Sequence, residues 1–128
     1  MIRVKLTSIM VSNQDRARAF YTEKLGFKVK HDIPLGGANW LTLVAPDDPN
    51  GVELLLEPIT VKETVTLQHN LYVGNVPITQ LHTDDIRREY ERMVAKGVVF
   101  KAPPAPMGPT YYADFDDTCG NLVRLVQG

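Results

Sequence analysis

The sequence predicts an α+β fold made of two successive β-α-β-β-β units, and three features of the chain predict it. Each half runs in the same order: strand, helix, glycine, strand, loop, strand, turn, strand. The glycines that stop the two helices, Gly26 and Gly97, lie 71 positions apart. The late turns at 47–51 and 116–120 match at an offset of 69, in the same place in the order of elements. Two copies are too few for a solenoid, so the expectation is one domain of two similar halves, about 1–59 and 76–128, joined by a crossover at 60–75.

Each element follows from local pattern. Residues 3–11 alternate as a strand, with Thr7, Ile9 and Val11 on one face and Leu6, Ser8 and Met10 on the other. Asn13 is an N-cap candidate. Ala17, Phe20, Tyr21 and Leu25 then recur at helical spacing up to Gly26, which predicts a helix over 15–25. A strand at 27–33 follows, then a turn at Leu35-Gly36-Gly37, a strand at 39–45 and a tight loop at 46–51. In the strand at 52–57, Val52, Leu54 and Leu56 make one wholly apolar face. Glu53, Leu55 and Glu57 make the other, which should meet something wetter.

A short helix is expected at 62–72, and a strand at 78–83. Asp84 is the N-cap candidate for an amphipathic helix whose Ile86, Tyr90, Met93 and Val94 share a face and which Gly97 ends. A short strand at 98–101, a proline-rich loop at 102–109 and strands at 110–115 and 121–127 complete the chain.

Composition narrows the function classes. The chain has 128 residues, 44% hydrophobic and 23% charged, which suits one soluble domain with an ordinary core. A formal net charge of −1 gives no basic face for nucleic acid. Cys119 is the single cysteine, so it makes no intrachain disulfide and no thiolate metal site by itself. No apolar stretch has the length of a membrane span or the form of a signal segment. A cytoplasmic protein is therefore expected.

The segment VSNQDRARAFYTEKLGFKV resembles the opening motif of the vicinal oxygen chelate superfamily. That superfamily includes glyoxalase I, extradiol dioxygenases, fosfomycin-resistance thiol transferases and bleomycin-resistance proteins. The carrying residues are Ala17-Arg18-Ala19-Phe20-Tyr21 and Leu25-Gly26-Phe27. The ending, Asp117-Thr118-Cys119-Gly120-Asn121, is similar to the family's Asp-Pro-x-Gly-Asn turn. The resemblance spans essentially the whole chain. It implies a glyoxalase/bleomycin-resistance-like bowl, a small-molecule cavity between the units and a homodimer. It also implies a divalent metal held by His, Glu or Gln from four strand positions.

Carried over one position at a time, those ligands fall near Leu6, near Ile78, at Arg124 and on the strand at 52–57. On that strand the glycine offset selects Leu55, and the face selects Glu53 or Glu57. Leucine and isoleucine bind no metal, and arginine repels one. The expectation is thus a cavity without the usual metal and without any other cofactor. It would be lined by Ser8, Met10, Trp40, Glu53, Gln80, Tyr111 and Arg124. Trp40 and the Tyr111-Tyr112 pair would stack on a planar ligand or pack as core. Arg124 would either pair with a carboxylate where the metal would sit or present its fork to an anion.

His82 is the candidate general base, with Glu57 as a second catalytic candidate. The plain alternative is a solvated histidine at a strand end. Glu53 and Glu57 lie about 13 Å apart along a strand, too far to share a proton. His31 and His69 read as surface residues, Cys119 as structural, and Phe20 and Tyr21 as packing residues. Two function classes follow. One is a protein that binds a small organic molecule without chemistry. The other is a metal-dependent lyase or dioxygenase with a shifted site of His82 and Glu53 or Glu57.

Overall fold

The computed structural model describes residues 1–128, which form two units, Met1–Val61 and Lys62–Gly128.

In the first unit, β1 (Leu6–Val11) leads into α1 (Gln14–Ala19). The Asn13 side chain accepts the Arg16 N–H at 2.9 Å and so satisfies one free donor of the first turn. The helix does not stay regular to its end: Phe20–Lys24 widens into a π-type turn before Gly26 stops it with φ 91°. That turn buries Phe20 and Tyr21, whose rings meet edge to face at 5.3 Å. The strands β2 (Lys28–Pro34), β3 (Asn39–Val44) and β4 (Glu53–Pro58) follow. The sheet order is β1-β4-β3-β2, with β1 and β4 parallel and the other pairs antiparallel. Ile9, Val11, Leu41, Leu43, Leu54 and Leu56 alternate onto one side of this sheet and are buried, as are Ala17, Phe20 and Tyr21. Burying each such aliphatic side chain stabilises the fold by about 1.5–3 kcal/mol.

In the second unit, α2 (Lys62–Val73) precedes β5 (Thr79–Thr83), α3 (Ile86–Ala95), β6 (Ala105–Met107), β7 (Thr110–Asp116) and β8 (Leu122–Gln127). The order β5-β8-β7-β6 repeats that of the first sheet, again with the first strand parallel to the last. The α3 cap is Asp85, one residue after the expected Asp84; its carboxylate accepts the Arg88 N–H at 3.1 Å. The expected strand at 98–101 shrinks to a single bridge between Phe100 and Phe115. The proline-rich stretch supplies the edge strand β6 instead. Proline is tolerated there because an edge residue can leave its nitrogen outside the ladder. The rings of Tyr90, Phe100 and Phe115 meet in series, edge to face at 4.7 Å and tilted at 5.5 Å, which seats α3 against β7.

The turn between β7 and β8 is held from inside. Asp117, fully buried, accepts the N–H groups of Cys119 at 2.8 Å and Asn121 at 3.0 Å, and the Asn121 amide at 2.8 Å. Gln68 reaches over from α2 and donates to the Cys119 carbonyl at 3.1 Å and to Asn121 Oδ1 at 2.9 Å. Gly120 has φ 96°, and a Cβ there would collide with the Gln68 side chain. Cys119 is fully buried beside this network. No helix is long and apolar enough to cross a membrane.

Candidate functional site

Strand alternation and cross-strand register assign the far face of each sheet, the face without the core residues named above. In the first unit, Leu6 lies beside Glu53, Ser8 beside Leu55 and Met10 beside Glu57. Leu55 lies beside Thr42, and Thr42 beside His31. Trp40, two residues before Thr42, shares the face and pairs with Ile33. Met10, Trp40 and Ile33 are 37%, 36% and 48% exposed, so this sheet presents large apolar side chains outward. In the same sheet, Leu55 and Thr42 are buried, and the Thr42 hydroxyl has no hydrogen-bond partner.

A register shift between Val29 and His31 brings two neighbours of β2 to one carboxylate. Lys30 Nζ lies 3.7 Å and His31 Nε2 3.9 Å from the Glu53 carboxylate. His31, which the sequence places on the surface, is therefore the imidazole beside a glutamate. Ser8, Met10, Trp40, Glu53 and Glu57 do share one face.

In the second unit, Gln80, Arg124 and Asp114 form one cross-strand row, and His82, Val126 and Tyr112 the next. Arg124 grips Asp114 with two bonds, Nε to Oδ1 at 2.8 Å and Nη2 to Oδ2 at 3.0 Å. Its guanidinium carbon lies 4.3 Å from the centre of the Tyr112 ring, and Nη1 lies 3.8 Å from Met107 Sδ. The Asp114 bond raises the Arg124 pKa further, against the opposing effect of burial. Gln80 and His82 are both exposed on this face. Tyr111 is not on it: that residue alternates with Ala113 and Phe115 on the other side, and Tyr112 takes the place beside Arg124. His82 and Glu57 belong to different units.

Asp114, Lys30 and Thr42 are the residues that single-strand patterns missed; those patterns place His31 on the surface and do not separate Tyr112 from Tyr111. One signal for Asp114 was present. In a hairpin centred on Cys119, residues equally far from the turn face each other, which sets 114 opposite 124. The bulge that recruits Lys30 and His31 leaves no such mark.

The metal positions that the fold family implies fall near Leu6 and Ile78, at Arg124 and, on β4, at Leu55 by glycine offset or at Glu53 or Glu57 by face. At most the β4 position offers a lone pair, and Arg124 is a cation already bound to Asp114. These side chains do not fit a divalent ion. No group of three or more His, Cys, Asp or Glu residues stands close enough to hold one elsewhere.

A cleft of about 370 Å³ lies within the second unit between α2 and the 116–120 turn, lined by Val65, His69, Tyr72, Asp116 and Thr118 among others. Tyr72 donates to Asp116 at 3.3 Å, and the Lys101 ammonium lies 4.6 Å from the centre of its ring. Burial first, then the Asp116 charge, raises the Tyr72 pKa.

The family model for the glyoxalase/bleomycin resistance protein/dioxygenase superfamily matches residues 3–125. The chain is 47% identical over 98% of its length to YurT, an uncharacterised protein of Bacillus subtilis (strain 168), and covers 99% of it. Among solved structures it is similar to UcmS2, at 33% identity and TM-score 0.85, covering 100% of this chain and 99% of that one. It is also similar to TnmS3, an antibiotic binding protein from Streptomyces sp. CB03234. There the identity is 26% and the TM-score 0.75, over 99% of this chain and 96% of that one.

Proposed function

Because the chain belongs to the glyoxalase/bleomycin resistance protein/dioxygenase superfamily, we propose that it binds a small organic molecule against the far faces of its sheets, without the family's usual metal and without transforming it. The observation that carries this reading is Arg124, which stands at a family ligand position and is gripped by Asp114. A cation already held in a bidentate pair leaves no donor and no room for a metal at that position. Tyr112, Gln80 and His82 share its face in the second unit, and the first unit presents exposed Trp40, Met10 and Ile33 on its own far face, the kinds of side chain that a ligand site needs. The antibiotic-binding role of TnmS3 supports the same class of activity here. The resemblance further implies that the working form is a homodimer, which sedimentation will test.

Calorimetric titration of chelator-treated protein with a panel of planar aromatic antibiotics tests the proposal. The expected result is saturable binding of a panel member with one ligand per chain, unchanged by added nickel, zinc, manganese or ferrous iron, and full recovery of intact ligand. Binding that vanishes with the chelator and returns with a metal would overturn it. So would conversion of the ligand, which would favour a lyase or dioxygenase using His82 with Glu53 or Glu57.

A further inference from the structure

The far face of the second sheet carries Arg124 with the carboxylates of Asp114 and Asp116. Arg124 is the only lysine or arginine on β5 to β8. Two of its donors are spent on Asp114, and its guanidinium lies over Tyr112. A third approaches Met107 Sδ, a weak acceptor, at 3.8 Å. Guanidinium has five N–H groups in a fixed plane, so one hydrogen of Nη1 and one of Nη2 remain for a partner outside the protein. The Arg124 side chain is 23% exposed and the Asp114 side chain 11%. The pair is therefore within reach of a ligand yet shielded enough for its charges to be felt.

The formal charge of that pair is zero. Asp116 follows on the same face of β7, its carboxylate already accepting from Tyr72 and from the Thr118 N–H, and the Lys101 ammonium over the Tyr72 ring offsets its charge. A ligand carboxylate laid against Arg124 would meet Asp114 within the same fork and would lose its own hydration with no net positive charge in return. A neutral carbonyl loses far less water and needs only the remaining N–H donors.

We propose that Asp114 is a positioning residue that converts Arg124 from an anion receptor into a donor for an uncharged, planar, carbonyl-type oxygen, so that the site selects neutral aromatic ligands over their carboxylates. The inference rests on the small-molecule reading above and names the ligand class for it. Tyr112 fixes the guanidinium plane, so a flat ligand with its oxygen at the edge of that plane is the complementary shape.

The test uses two probes alike in shape and different in charge, naphthalene carboxamide and naphthalene carboxylate, titrated calorimetrically into the full chain at neutral pH. The wild-type protein is expected to bind the amide about tenfold more tightly than the carboxylate. Asp114→Asn should abolish that preference by strengthening carboxylate binding about tenfold, with the amide changed less than threefold. Arg124→Gln should weaken the amide about tenfold and leave the carboxylate unbound, which keeps the proposal testable if the Asp114 variant folds poorly. A loss of shape alone would weaken both probes together and would leave their ratio unchanged. A wild-type preference for the carboxylate, or an Asp114→Asn protein with an unchanged ratio, would overturn the inference while leaving the small-molecule reading in place. If neither probe nor any antibiotic of the panel binds wild-type protein at millimolar concentration, both fall together.

Discussion

The two sheets share one strand order but carry opposite chemistry at matching places. The glycines Gly51 and Gly120 set Leu55 against Arg124, and the cross-strand partners of each extend the match. Ser8, Leu55 and Thr42 in the first unit correspond to Gln80, Arg124 and Asp114 in the second. In one row the centre is a buried leucine beside an unpartnered hydroxyl; in the other it is a bidentate ion pair. The turns diverge in the same way. Asp48 is exposed, whereas its counterpart Asp117 is fully buried and accepts three N–H bonds. The difference teaches that the repeated backbone prescribes where side chains sit and leaves their chemistry free. In the second unit this turn and this row are tied by buried or half-buried polar bonds, and their counterparts in the first unit are not.

The turns give the sharpest way to break this comparison. Asp117→Ala strands three donors in a dry turn, so it should lower unfolding stability by about 3 kcal/mol or more. Asp48→Ala should change it by about 0.5 kcal/mol or less. Urea unfolding of both variants checks this, and equal losses would mean that the two turns are not different in kind.

The central rows give the next effect, with opposite signs. Asp114→Val leaves Arg124 without its counterion and should destabilise by about 2 kcal/mol. Thr42→Val removes a buried hydroxyl that has no partner, so it should be neutral or stabilising by about 1 kcal/mol. A loss of stability in Thr42→Val would show that the hydroxyl has a bonded partner in solution.

The smallest effect is a slope with pH. Tyr72 has a raised pKa, so the fold favours its protonated form. That contribution is whole below the ordinary tyrosine pKa of about 10 and is lost as pH rises through the higher folded value. The wild-type protein should therefore lose stability above pH about 10 more steeply than Tyr72→Phe. Parallel curves would show that burial at Tyr72 is slight.

The fold was legible because its signals are local. Apolar spacing in α1 and α3, the stopping glycines and the two Asp-rich turns each act within a few residues. Where local signals conflict with tertiary demand they misled. Pro103, Pro104 and Pro106 read as loop, yet Ala105–Met107 pairs with Thr110–Tyr112 because an edge strand tolerates proline. The site was half legible. Alternation within one strand found Ser8, Met10, Glu53, Glu57, Gln80, His82 and Arg124 on the far faces, since a period of two needs no neighbour to be read. It could not choose between Tyr111 and Tyr112, nor find Asp114 or His31. Those depend on register and on a bulge, which are properties of strand pairs.

Trp40 is the chain's only tryptophan, and it stands partly exposed on the first unit's far face. Tyr72, Tyr90, Tyr111 and Tyr112 all belong to the second unit, and Tyr21 alone to the first. Indole emission therefore watches one half of the molecule, and phenol emission mostly the other. Followed together during chemical denaturation, the two colours will tell whether the halves melt as one body or in turn. Followed during titration with a non-absorbing ligand, they will tell which half the ligand touches.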